Sequence, residues 1–210
     1  MINEAYLYDA IQYLAGAREV HHRVQACLPS TVAAHAIVLD MGGGTASLRQ
    51  SLPPTAVYVC LDIDPSKLQR AASRNEGARI LLADATQTPL VNGCADIVVC
   101  TAVSHHLSEQ QLQRMLDEID RLLKDGGVLL FLDAIWMPER RLSRLLWRYD
   151  RGSYPRGSES LLNLLLERFS ATRCERFHVY HEYLLFVGNK GGRGALQDAV
   201  SLTCPSNACK

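Results

Sequence analysis

The stretch that most constrains what this chain can fold into is Val38-Leu39-Asp40-Met41-Gly42-Gly43-Gly44-Thr45-Ala46. A short apolar run, Ala36 to Leu39, ends in an acid and three successive glycines, after which Ala46, Ser47, Leu48 and Arg49 suit the start of a helix. The pattern predicts strand, tight turn, helix. Glycines let a backbone turn sharply and approach a ligand with no Cβ in the way. The first turn of a helix aims its N–H groups back at whatever lies in the loop before it. A nucleotide-like ligand is expected there. A dinucleotide fingerprint needs a third glycine where this chain has Ser47, which disfavours a dinucleotide.

The 210 residues suit one domain with a substantial core, and 48% hydrophobic residues argue against disorder in bulk. Lys plus Arg and Asp plus Glu are equal at 22 each, so no bulk charge draws the chain to nucleic acid, and none is expected as a partner. Charges interrupt every apolar run short of a membrane span. The start, Met1-Ile2-Asn3-Glu4, shows no basic-then-apolar leader. Seven cysteines, with no Cys-x-x-Cys, argue against a disulfide framework or a structural zinc. No metal is expected, a reducing cytoplasm fits, and Cys60 and Cys100 read as small buried hydrophobes.

Taken in order, residues 3–28 read as a helical cap, because Tyr6, Leu7, Ala10, Ile11, Leu14, Ala17 and Val20 recur at spacings of three and four. Strands are expected over 36–40, 57–61, 79–83, 95–100 and 128–132. Asp64 with Pro65 after it starts one helix. Ser108 caps another through 123, with Lys124-Asp125-Gly126-Gly127 as its stop. A basic helix over 138–151, a helix capped by Ser158 through 168, and two hairpin strands at 173–180 and 183–187 complete the pattern. Residues 191–210 are expected to form a loosely ordered tail. Strands alternating with helices call for a doubly wound α/β sheet. Such sheets bind ligands at the carboxyl ends of their strands, which here carry Asp40, Asp62, Asp84, Thr101 and Asp133.

These motifs together resemble the class I S-adenosylmethionine-dependent methyltransferases, most closely the small-molecule branch that includes ubiquinone and menaquinone biosynthesis enzymes. The likeness covers roughly 36–137. It rests on the glycine stretch, Leu61-Asp62-Ile63-Asp64-Pro65, Asp84-Ala85-Thr86 with Pro89-Leu90, Asp96-Ile97-Val98 leading to His105-His106-Leu107, and Leu122 to Gly127. Gly43 stands where the family usually has Cys, and Ala46 where it has its last Gly.

The resemblance implies a Rossmann-like, seven-stranded, mostly parallel sheet with the last strand antiparallel, the 173–187 hairpin supplying strands 6 and 7. It implies one domain over 1–190: a cap (1–28), a cofactor-binding core (36–137) and substrate-side helices with the final hairpin (138–190). S-adenosylmethionine would be the cofactor and S-adenosylhomocysteine the product. Asp40 and the Gly42, Gly43 and Gly44 backbone would hold the methionine part. Asp62 would take the ribose hydroxyls with Ile63 beside it, Asp84 and Ala85 would read adenine, and Thr101 would line the sulfonium pocket.

The implied reaction is methyl transfer to an oxygen or nitrogen of a small-molecule acceptor. A base is needed where an O–H or N–H proton must leave. His105 and His106 follow strand 4, and Asp133 ends strand 5, so these three are the catalytic candidates; the residues do not decide between the two histidines. Tyr8, Arg18, Arg148, Tyr154 and Arg156 are candidate acceptor-binding residues, the arginines doubling as a solvated face. Tyr180 and His181 can enter from the hairpin. The alternatives are methylation of carbon or of a macromolecule on the same fold, and a non-catalytic cofactor-binding scaffold. Exposed tyrosines near the start suit a lid or a dimer contact, so monomer and homodimer both stand.

Overall fold

The computed structural model describes residues 19–28, 32–139, 147, 154–179 and 181–191. Most of the 1–28 cap, most of the 138–151 helix and the tail therefore lie outside the described residues, as do Tyr8, Arg18, Arg148 and Tyr180.

Seven strands form one sheet in the order β3-β2-β1-β4-β5-β7-β6. They are β1 (Ile37–Met41), β2 (Val57–Asp62), β3 (Arg79–Leu82), β4 (Ala95–Thr101), β5 (Leu123–Ile135), β6 (Phe169–His178) and β7 (Glu182–Lys190). The first five run parallel, and β7 lies between β5 and β6, antiparallel to both. Chain order reverses between β1 and β4, which places the ligand crevice at the carboxyl ends of those strands.

Apolar layers cover both faces, as the continuous runs in β1 and β4 require. One face packs Leu39, Met41, Val98, Leu129 and Phe131 under α2 (Glu109–Leu122) and α3 (Ser158–Leu166). The other packs Val38, Tyr58, Val99 and Leu130 with Leu68 and Ala71 of α1 (Pro65–Arg74) and with Val24 from the helical segment 19–27. Cys60 and Cys100 are buried free thiols, as expected. Among the described residues no helix is long and apolar enough to cross a membrane.

Local chemistry explains the helix starts. The Asp64 side chain accepts the N–H groups of Ser66 and Lys67, and Ser108 forms a reciprocal capping box with Gln111. Three expectations need correction. After the glycines comes only one 3₁₀ turn, Ser47–Ser51, because Ala46 adopts φ 60 and breaks helical continuity. α3 begins after Gly157 with no side-chain cap, so Ser158 is its first residue rather than its cap. Gly126 and Gly127 do not stop α2, which ends at Leu122 with an extended cap residue, Leu123. They lie inside β5 instead, with Gly126 at φ 73. Ala95 pairs with Leu123 and Ile97 with Val128, so the extra β5 residues bulge and left-handed Gly126 permits the bend. The hairpin strands also exceed the expected spans, because pairing with β5 continues out to Glu182 and Asn189.

Candidate functional site

The glycine turn works differently from the expected helix-end cradle. The N–H groups of Gly42 and Gly43 both donate to the Leu61 carbonyl, at 2.7 and 3.0 Å. That of Gly44 donates to Asp62 Oδ2 at 2.9 Å. The turn is thus stitched to the end of β2, and its N–H groups are spent on protein. What it offers a ligand is close backbone approach and a fixed Asp62. The Asp62 carboxylate, 6% exposed, also accepts from the Asp64 N–H at 2.9 Å. A carboxylate has about four lone-pair positions, so two hydroxyl donors can still be taken.

Beyond β3, the Asp84 side chain accepts the Thr86 N–H at 2.8 Å and the Gln87 N–H donates to the Asp84 carbonyl at 3.1 Å, closing a tight turn. Asp84 is exposed and Ala85 packs partly onto the core. Ile63, next to Asp62, leaves its side chain 71% exposed. An apolar side chain held out beside two acids is suited to the face of a base.

Asp40 points inward. The Tyr58 hydroxyl donates to Asp40 Oδ2 at 2.5 Å, and both residues are buried. Burial pushes the Asp40 carboxyl up to about 6; the Tyr58 hydrogen bond pulls it down and the Asp62 charge pushes it further up. Tyr58 was not legible as a site residue, although a fully buried phenol must find a hydrogen-bond partner. Because the folded value lies above the ordinary 3.8, this group's contribution to stability is present below that value and lost as pH rises through about 6. Asp40→Asn, which keeps the Tyr58 acceptor, should therefore gain on the wild type between about pH 3 and 7 by on the order of 2–3 kcal/mol. Thermal unfolding against pH measures this, and parallel curves for the two proteins would refute it.

Gly43 is required by the same packing. A Cβ there would meet Asp40 Cγ and Oδ2 at 2.7 Å and Cys60 Sγ at 2.8 Å. In this chain glycine is not a neutral exchange for cysteine, because the Asp40 carboxyl fills the space. Gly43→Ala should cost roughly 1–3 kcal/mol in chemical unfolding, and an unchanged midpoint would show that Asp40 turns away freely.

Asp133, 0% exposed, collects five donors. Oδ2 accepts the Ser104 N–H and hydroxyl, both at 2.6 Å, and the His105 N–H at 3.3 Å. Oδ1 accepts the Ala134 N–H at 2.7 Å and faces His105 Nδ1 at 2.5 Å. Burial would push this carboxyl up, but the His105 ring and the hydrogen bonds from His105, Ser104 and Ala134 hold it below the ordinary range. The structure thus separates the two histidines: His105 is buried on Asp133, whereas His106 is exposed, with its ring 4.1 Å from that of His105. Trp147 stands edge-on to His105 at 5.8 Å and to His181 at 5.2 Å, and near Trp136 at 6.3 Å.

Arg156 is corrected from an acceptor-binding residue to a clamp. Its guanidinium donates to the Ser104, Leu107 and Tyr154 carbonyls and to Glu109, so it holds the 104–107 loop. The Tyr154 N–H donates to the His105 carbonyl at 3.0 Å while its side chain stays largely exposed. Thr101 ends β4 half-buried, followed by left-handed Ala102 at φ 56.

An open sheet of this order, with acids at the mouths of β2 and β3 and a buried carboxylate–imidazole pair after β4, defines a Rossmann-like fold built for a nucleoside cofactor. Residues 39–131 match the family described as Methyltransferase domain. Over those residues the chain is similar to class I S-adenosylmethionine-dependent methyltransferases, whose cofactor is S-adenosylmethionine.

A malonyl-[acyl-carrier protein] O-methyltransferase of Geobacter sulfurreducens is 32% identical over 130 residues, covering 59% of this chain and 47% of that protein. The thiol S-methyltransferase TMT1B of Rattus norvegicus is 30% identical over 118 residues, covering 53% and 47%. A tRNA (carboxymethyluridine(34)-5-O)-methyltransferase of Arabidopsis thaliana is 26% identical over 145 residues, covering 68% and 35%. The chain spans about half or less of these relatives' lengths. The crystal structure of the N-methyltransferase NodS from Bradyrhizobium japonicum with S-adenosylhomocysteine shares the fold, with TM-score 0.68, 19% identity, and coverage of 83% and 87%.

The residues fit the cofactor. Asp62 has lone pairs left for two ribose hydroxyls, Asp84 is an exposed acceptor, and Ile63 offers an apolar face.

Proposed function

We propose that this protein transfers a methyl group from S-adenosylmethionine to an oxygen or nitrogen of a small-molecule acceptor, with His105 as the proton acceptor. The observation that carries this reading is the 2.5 Å contact between His105 Nδ1 and the buried Asp133 carboxylate. Nδ1–H donating to Asp133 fixes the tautomer and leaves the basic lone pair on Nε2. The carboxylate then stabilises the imidazolium formed when Nε2 takes a proton.

When bound, S-adenosylmethionine would supply an electrophilic methyl group on a sulfonium. The chain's own work is to hold Asp62 for ribose and Asp84 with Ala85 and Ile63 for adenine, and to keep Thr101 and the Gly42–Gly44 backbone beside the methionine end. On the acceptor side it would align the nucleophile, and His105 Nε2 would receive the O–H or N–H proton as the acceptor–methyl bond forms and the methyl–sulfur bond breaks, its electron pair leaving with S-adenosylhomocysteine. A thiol ionises readily near neutral pH and needs this base least, which favours oxygen or nitrogen. Trp147 beside His105, with Trp136 against it, favours an acceptor with an apolar or aromatic body.

The test is a screen of the full chain for S-adenosylhomocysteine release with phenols, carboxylates, amines, thiols and transfer RNA offered separately. Turnover with an oxygen or nitrogen class of small molecule is expected. Turnover confined to thiols or to RNA would overturn the acceptor class.

A further inference from the structure

We propose that Glu118 and Arg121, on α2, are positioning residues for adenine recognition: they set where the Asp84–Gln87 turn stands by gripping the residues just after it. The inference rests on the reading that Asp84 and Ala85 face the adenine.

The grip is specific. The Thr88 N–H and hydroxyl both donate to Glu118 Oε1, each at 2.7 Å. Arg121 holds Glu118 through two nitrogens, Nε to Oε2 at 2.8 Å and Nη2 to Oε1 at 2.7 Å. It then reaches the Leu90 carbonyl at 2.8 Å, Asn92 Oδ1 at 2.6 Å and Thr88 Oγ1 at 3.4 Å. All five guanidinium donors are thereby used. Glu118 is 9% exposed, and Arg121 holds its carboxyl down at about 2, with Thr88 assisting against burial.

The loop needs such a grip. Asp84, Gln87, Pro89 and Val91 are exposed, and Ala85 and Leu90 touch the core only partly. The Asp84–Gln87 turn is closed on itself, so it moves as a unit. Its near end is tied to the ribose acid by the Ala83 N–H on the Asp62 carbonyl at 3.2 Å. Its far end is tied by Thr88 to Glu118. Loosening the far tie displaces Asp84 relative to the base while the Asp62 carboxylate keeps its own partners on Gly44 and Asp64. The defect should therefore fall on recognition of the base and spare recognition of the ribose.

The experiment compares calorimetric binding of S-adenosylhomocysteine with that of S-inosylhomocysteine, whose 6-oxo group replaces the amine, using the full chain. The wild type should prefer the amine by about tenfold or more. Glu118→Ala should weaken S-adenosylhomocysteine and bring the preference to about twofold or less, with S-inosylhomocysteine little changed. Glu118→Gln, which keeps an oxygen for Thr88 but turns its amide nitrogen on Arg121 Nε, should fall between the two.

A wild-type preference that survives Glu118→Ala overturns the inference alone. No preference in the wild type overturns the adenine reading and this inference with it. Should Glu118→Ala fail to fold, Glu118→Asp, whose carboxylate is one methylene too short to reach both Thr88 donors, decides: a lowered preference supports the grip, and an unchanged one overturns it. A merely structural role would lower the melting temperature and leave the ratio between the two ligands unmoved.

Discussion

Asp62→Ala should weaken S-adenosylhomocysteine binding by a hundredfold or more while the protein stays folded. Asp62 does two things at once. It holds the Gly44 N–H and the Asp64 N–H, each at 2.9 Å, and so fixes the glycine turn against the end of β2. On the proposed reading it also accepts the ribose hydroxyls. A hydrogen bond to a charged group is worth about 1.5–3 kcal/mol, so losing two to the ribose alone corresponds to about a hundredfold or more. The turn would loosen as well, because two backbone donors lose their acceptor. Asp62→Asn should fall between, since one amide oxygen remains and the amide nitrogen meets a donor. Calorimetric titration beside circular dichroism separates the effects, and unchanged affinity in folded Asp62→Ala would sink the ribose assignment.

His105→Asn should lower the single-turnover rate with an oxygen or nitrogen acceptor by about 10²–10⁴-fold, the range for a positioned general base, with S-adenosylhomocysteine affinity within about twofold of the wild type. The residues proposed for the cofactor belong to the ends of β1 to β4, whereas His105 is fixed from β5 through Asp133. Rate and affinity should therefore separate. A rate within threefold of the wild type would remove His105 from the chemistry.

Asp133→Asn tests the same pair from the other side. Oδ1 and Oδ2 both face donors, five in all, so an amide nitrogen put at either oxygen meets at least two of them. That change should cost about 3–5 kcal/mol of stability, as for other broken buried ionic pairs, together with the rate. Denaturant unfolding measures the first term. A variant as stable as the wild type would show that the carboxylate is not held as described.

The two pairs explain why four aspartates at strand ends do not play four equal parts. Asp62 and Asp84 are the two proposed to serve the cofactor, whereas Asp40 and Asp133 are buried on Tyr58 and His105. In sequence all four look alike: an apolar run and then an acid. What distinguishes them is a side chain on another strand or loop, Tyr58 eighteen residues from Asp40 and His105 twenty-eight from Asp133. Arg156 differs from its expected role for the same reason. Its acceptors are carbonyls of a loop about fifty residues away, which no local pattern around Arg156 shows.

The sequence by itself determined the alternation of strands and helices, the caps at Asp64 and Ser108, the glycine turn and the row of acids. Each of these is written in periodicity or local hydrogen bonding over a few residues. It also carried enough of the nucleoside-site pattern to point to the cofactor. Only the tertiary structure decided that the glycine N–H groups are spent on Leu61 and Asp62, that Gly43 makes room for a carboxyl, and that His105 rather than His106 meets Asp133. It alone brought Glu118 onto Thr88, just after the Asp84–Gln87 turn. Those facts depend on register between strands and on which helix face meets which loop, and a single chain read residue by residue does not contain them.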